Sequence, residues 1–163
     1  MVIKLSDCQW EYLGRYPPGD AVGWALSKLM ANDDYLLNID ANERSITFRF
    51  AMYLQQQLPD RTVDCEFNRD GVDPKRIMHL KLNPDSEDTE AKTVFPDVIV
   101  HRRGRCTENY LVVEFKKSTS RVDRQIDLQK LRDYKQQFRY EHALFVEVGT
   151  GGQARVAALK WVG

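Results

Sequence analysis

In VFPDVIVHRRGRCTENYLVVEFKKS, Val94 to Ser118, Asp97 opens one apolar run while Glu114 and Lys116 close the next. Charged groups inside a sheet are costly unless they are paired or coordinated. If DVIVHR and NYLVVEF form a hairpin around RGRCTE, the pairing sets Asp97 beside Glu114. Directly opposed Cβ atoms lie ~4.5 to 5.5 Å apart, and two carboxylates there repel unless a cation sits between them. Lys116, two residues on, shares the face of Glu114, whereas Val113 and Phe115 point to the other side. A third acid comes from a helix: Glu43 lies three residues before Ile46, on that helix's apolar stripe, and should point toward the sheet. Two strand acids and one helix acid make a hard, oxygen-rich set that suits magnesium or manganese better than zinc. The plainer alternative is a Glu43 that favours the helix dipole and a Lys116 that neutralises one carboxylate.

These residues must be carried by particular elements. NIDANERSITFRFAMYLQQQLP puts Ile46, Phe50, Leu54 and Leu58 on one stripe, with Asp40 or Asn42 as cap and Pro59 as stop, so the spacing predicts a long amphipathic helix. A shorter helix is expected before it, from Val22, Leu26, Leu29 and Met30 behind a capping Asp20. Val63, Cys65 and Phe67 alternate with Asp64, Glu66 and Asn68, the period of a strand with one apolar face. Residues 70–93 read as an acidic, turn-rich loop around a short strand at RIMHLKL. After the hairpin, Val122, Ile126, Leu131, Tyr134 and Phe138 keep a helical stripe, and HALFVEV and ARVAALKWV close the chain as two strands around GTGG. Strand, helix, strand implies a crossover, hence a mixed sheet covered by helices.

With 163 residues the chain fits one domain, 1–163. Its 24 basic and 24 acidic side chains cancel, so a nucleic-acid partner would need a local basic patch. Cys8, Cys65 and Cys106 show neither disulfide nor zinc spacing and read as buried free thiols of a reducing compartment. The opening MVIKLSDCQW lacks a signal-peptide core, and no run approaches the ~20 apolar residues of a membrane span. A soluble, cytoplasmic protein with no membrane partner is expected. Glu66 reads as a solvated acid, and His101, although it shares the parity of Asp97, as a strand-end histidine near solvent. GTGG lacks a phosphate-loop pattern.

Pro96-Asp97, then Glu114-Phe115-Lys116 after an apolar strand, with the helical Glu43 ahead of them, resembles the PD-(D/E)XK nuclease superfamily. VDCEFNRDG and PDVIVHRRG are also similar to stretches in a group of small, uncharacterised bacterial proteins, a likeness that implies the fold and no particular substrate. The resemblance runs from Glu43 to about Val148. It implies an α/β, restriction-endonuclease-like three-layer core at 39–163, a central mixed sheet flanked by helices, with 1–38 as a helical extension. It further implies that Asp97, Glu114 and the Phe115 carbonyl ligate Mg2+ or Mn2+, with Glu43 binding directly or through water. Lys116 would orient or deprotonate the water that attacks a phosphodiester. Phosphates of DNA would meet Lys117, Arg121 and Arg124 after the motif, or Arg102, Arg103 and Arg105 in the hairpin loop. Lys130, with Leu131 and Tyr134, resembles a pattern in the helix of related proteins, although by itself it reads as an exposed helical lysine. The implied activity is a DNA endonuclease of defence or repair. The alternatives are an RNase or a non-catalytic nucleic-acid- or protein-binding module, with a homodimer or a partner protein supplying target recognition.

Overall fold

The computed structural model describes residues 4–67 and 95–163 and, between them, the backbone of 69–70, 73–74, 76–77 and 92–93. Most of the expected acidic loop and of the strand at RIMHLKL lies outside the described residues.

Five helices precede or interleave the strands: α1 (Asp7–Leu13), α2 (Gly19–Asn32), α3 (Asp34–Asn38), α4 (Glu43–Gln57) and α5 (Arg124–Phe138). The strands are β1 (Thr62–Cys65), β2 (Arg69–Asp70), β3 (Asp73–Pro74), β4 (Arg76–Ile77), β5 (Lys92–Thr93), β6 (Val98–His101), β7 (Leu111–Lys117), β8 (His142–Gly149) and β9 (Arg155–Trp161). One five-stranded sheet runs in the order β1-β6-β7-β8-β9, and β2-β3 and β4-β5 form two small ribbons. Only β7 and β8 pair in parallel, joined by α5; the other neighbours are antiparallel. The sheet is therefore mixed and lies between helices, as the strand-helix-strand pattern requires.

Both faces of β6 and β7 are covered, which is why their sequences read as unbroken apolar runs instead of alternating ones. On one side Val98, Val100, Val113 and Phe115 share a core with α1, α2 and α4. The rings of Phe50 and Phe115 meet there at 4.9 Å. On the other side Ile99 and Val112 pack under Leu128, Leu131 and Tyr134 of α5. The α4 stripe of Ile46, Phe50 and Leu54 is fully buried, and its cap is Asn42, whose side chain accepts the Ser45 N–H at 2.8 Å. Helix α4 is thus fixed at its first turn, where Glu43 stands.

Several expectations need correction. Helix α1, at seven residues too short to show a helical period, is not among the expected elements. It is set by a capping box in which Ser6 and Gln9 exchange hydrogen bonds with each other's backbone, and it is held to β9 by Tyr12 and Trp161. The N-cap of α2 is Pro18, and Asp20 supplies first-turn charge without a capping hydrogen bond. Val122 is exposed ahead of α5 and Leu58 caps the end of α4. Phe67 joins the α5-side core, not the face of Val63 and Cys65, because Glu66 at φ 49° turns the chain over and breaks the strand's alternation. The cysteines are not all buried: Cys8 and Cys106 are exposed, and the half-buried Cys65 has its thiol pushed up to about 11, by burial first and then by Asp97.

The turn between α1 and α2 depends on Gly19, where a Cβ would stand 1.9 Å from the Leu13 carbonyl oxygen. That obstacle is backbone and cannot swing aside. Gly19→Ala should cost about 1 to 3 kcal/mol, read as a fall of roughly 2 to 12 °C in melting temperature. An unchanged melting curve would mean that the turn relaxes freely.

Candidate active site at the open edge of β7

Strand β7 outruns β6. The paired residues are Val100 with Leu111, Ile99 with Val112 and Val98 with Val113, so one further step brings Asp97 beside Glu114, as the hairpin register predicts. Beyond Val113, among the described residues, β7 pairs only with β8, from Glu114 with Phe145 to Lys117 with Val148. Its other edge would expose unpaired backbone groups there. Two acids take them: Asp97 Oδ2 accepts the Phe115 N–H at 2.8 Å, and Glu43 Oε2 accepts the Lys117 N–H at 3.2 Å. A strand residue directs its N–H and its C=O to the same edge, so the Phe115 carbonyl opens beside these carboxylates. Glu43 thus serves in the first turn of α4 and reaches the sheet as well.

Glu114 and Lys116 face α5, which carries two partners. Lys130 Nζ lies 2.8 Å from Glu114 Oε2, and Asp127 Oδ2 lies 2.8 Å from Lys116 Nζ. Lys130 also stands 3.8 Å from Asp127 Oδ1. Glu114 is 1 % exposed, Asp127 4 % and Lys116 8 %, so this is a charged cluster almost without solvent. Glu114 Oε1 is buried and meets no hydrogen-bond donor.

The crowding shows in the ionisation of the acids. Burial, then the charge of Asp97, pushes the Glu114 carboxyl well above the ordinary range against the pull of Lys130. Burial raises Asp97 too, offset in part by the Phe115 N–H and Lys130. Glu43 is raised by burial and then by Asp97, with Lys116 opposing. Burial disfavours the Lys130 ammonium, yet Glu114, Asp97 and Asp127 outweigh it and raise its pKa. The Tyr134 hydroxyl, on the buried face of the same helix, is held far above its usual value by burial and by Glu114 and Asp97.

The donors suit a hard divalent cation in kind: carboxylates, a carbonyl on the same edge and one buried oxygen without a donor. As placed, however, no group of three or more His, Cys, Asp or Glu among the described residues is gathered for a metal ion. Asp97 and Glu43 are engaged with backbone amides, so closing on an ion requires these side chains to turn from the strand edge.

Sequence reasoning brought Glu43, Asp97, Glu114, Phe115 and Lys116 together, and the structure does so too. It missed Asp127 and misjudged Lys130, which is 18 % exposed and bound to Glu114. The overlooked signal is an acid on the buried stripe of α5, Asp127 ahead of Leu131, Tyr134 and Phe138. The basic candidates are occupied elsewhere. Lys117 binds the Asp40 and Ala41 carbonyls and the Asp40 side chain, and Arg124 binds Glu147 and the carbonyls of Ser120 and Val122. Arg102 and Arg105 pair with Glu108, and Arg103 with Asp64, at the opposite end of β6 from Asp97. Only Arg121 among these six is exposed without an ion pair among the described residues. His101 is buried, not solvent-facing: Asp64 lies 2.7 Å away and Phe67 covers its ring at 4.8 Å. Glu66 is solvated and bonded to Arg44 at 2.9 Å.

In comparisons with known proteins, no family model, curated protein or solved structure matches the chain.

Raised carboxyl pKa values mean that the folded protein binds more protons than the unfolded chain just above the ordinary carboxylate range. Stability in EDTA should therefore rise as pH falls from neutral toward that range, the three carboxyls outweighing the opposing His142, whose burial lowers its pKa. The depressed Asp40 and Asp64 lose their contribution only below it. Asp97→Asn keeps an acceptor for the Phe115 N–H and removes one repelling charge. It should be at least as stable as wild type at neutral pH and show a flatter pH dependence. Melting scans across pH on both proteins check this, and a wild type that loses stability over the same range would contradict it.

Proposed function

We propose that the protein is a metal-dependent nuclease of PD-(D/E)XK type that hydrolyses phosphodiester bonds, with DNA as the expected polymer. The observation that carries this reading is the meeting of Asp97, Glu114 and the Phe115 backbone where β6 begins, with Lys116 on the same face as Glu114. The restriction-endonuclease-like assignment is supported by the order α4, β1, β6, β7, α5, β8, in which the helix bearing Glu43 precedes three strands of the sheet and α5 crosses to a parallel neighbour.

Asp97, Glu114 and the Phe115 carbonyl would hold Mg2+ or Mn2+, with Glu43 beside them. The cation, when bound, stabilises charge on a phosphate oxygen and lowers the pKa of water. Lys116 orients the attacking water through an N–H of its ammonium. Asp127, 2.8 Å from that ammonium, is a positioning residue that fixes where the proton-bearing nitrogen sits. Lys130 holds Glu114 Oε2, which leaves the buried Oε1 without a hydrogen-bond donor. Burial of the cluster excludes bulk water and strengthens each of these contacts.

A second reading, a binding module without catalysis, is favoured by the Lys116–Asp127 pair, which engages the ammonium in a nearly closed contact. Incubation with manganese and circular DNA, linear duplex, single strands and RNA separates the two. The nuclease reading expects cleavage that EDTA stops. Lys116→Ala should lose ~100-fold or more in rate while keeping the thermal shift caused by manganese. At ten times its Kd that shift corresponds to about 1.4 kcal/mol, or roughly 3 to 6 °C, and Asp97→Asn should lose most of it. Wild type with neither cleavage nor shift leaves the binding module as the better account.

A further inference from the structure

We infer that the site takes single-stranded nucleic acid, held chiefly by an unpaired base stacked on Phe95 and not by a basic, duplex-binding surface. The inference rests on the nuclease reading for the role of the neighbouring acids, although its test does not.

The first observation is electrostatic. Duplex binding draws most of its affinity from counterions released when many Lys and Arg side chains meet phosphates. Around this site the cations among the described residues already have partners: Lys116 has Asp127, Lys130 has Glu114, Lys117 has Asp40 and Arg124 has Glu147. Among the described residues, four acids of the cluster, Glu43, Asp97, Glu114 and Asp127, stand against two ammonium groups, Lys116 and Lys130. The arginine-rich hairpin loop does not help. It lies beyond the far end of β6, which at about 3.3 Å per residue sets it ~13 Å from Asp97, and its arginines pair with Glu108 and Asp64. Arg121, exposed in the turn between β7 and α5, is available for one phosphate.

The second observation is an aromatic platform. Phe95 is 56 % exposed, although a large apolar side chain gains by burial. It stands two residues ahead of Asp97, and the buried Pro96 between them restricts its backbone to extended conformations, which gives the ring a stiff mount. Val122, 49 % exposed beside Arg121, adds apolar surface at the turn before α5. A ring of this kind can stack only on a base whose face is uncovered. In a duplex both faces of each internal base are already stacked, whereas in a single strand they are available. Stacking is tolerant of sequence because every base has a π-face, and with few free cations beside the ring few counterions are released on binding.

Fluorescence anisotropy in EDTA tests this with labelled oligo(dT), labelled oligo(U) and the duplex of oligo(dT) with oligo(dA), each over a range of salt. Oligo(dT), oligo(U) or both should bind about tenfold or more tighter than the duplex, and comparison of the two single strands tells DNA from RNA. Phe95→Ala should weaken single-strand binding by about tenfold, and Phe95→Trp should restore it. The slope of log affinity against log salt should be shallow, and Arg121→Ala should reduce it by about 0.7, the single-strand value per phosphate. Equal affinity for duplex, no binding to any probe, or Phe95→Ala binding like wild type each overturns the inference. The two readings fail separately: manganese-dependent duplex cleavage indifferent to Phe95→Ala leaves the nuclease and removes the platform. Phe95-dependent binding without cleavage of any polymer does the reverse.

Discussion

The capture of the Phe115 amide by Asp97 is the contact on which the rest of the site depends. An unpaired N–H in the middle of a sheet would be costly, and β7 acquires such groups because β6 starts too late to cover them. An acid satisfies that need and brings a negative charge with it. Glu43 repeats the arrangement at Lys117, so a helix and a strand are both tied to one edge by carboxylates standing in for a missing neighbour. Glu114, whose side chain turns toward α5 at the same point, then has to be neutralised in place.

Neutralisation comes from a helix, and it makes the cluster reciprocal. Lys130 reaches down to Glu114 while Lys116 reaches up to Asp127. Buried ion pairs of this kind often contribute little net stability, because desolvation consumes most of their attraction. What they fix is geometry. Two crossed pairs bind α5 to β7 at a defined angle and register, which an apolar contact alone would leave freer to slide. Order in the cluster thus coexists with acids held above their ordinary pKa.

Much of this arrangement was legible in the sequence because strands and helices obey short periods. The pairing of Asp97 with Glu114 and the common face of Glu114 and Lys116 follow from alternation alone, and the inward Glu43 from its distance to Ile46. What escaped had no period to betray it. Asp127 sits on the stripe of α5, yet an acid there reads as an interruption of the core until Lys116 is seen beneath it. Phe67 changed faces because a single left-handed residue, Glu66, reversed the count. Helix α1 depends on hydrogen bonds from its cap and to β9, which no apolar pattern records. The positive side chains were misjudged for a different reason: composition counts charges, whereas partners such as Glu147 and Asp40 decide whether a charge is available.

The attachment of α1 to β9 bears on how the chain becomes structured. The Tyr12 hydroxyl accepts the Trp161 N–H across 149 positions of sequence, and Gln9 donates to the Val156 carbonyl across 147. The entropy of closing so long a loop grows only logarithmically, so the finished contact is tolerable thermodynamically. Its cost is one of time. During synthesis α1 can pack early on α2, where Trp10 lies against Gly23, but its hydrogen bonds to β9 must wait until nearly the whole sheet has assembled. Contacts this distant belong to the slow, late part of assembly. Because the neighbouring helices share that core, the nascent chain spends this interval with an unfinished apolar surface, the condition under which chaperones engage.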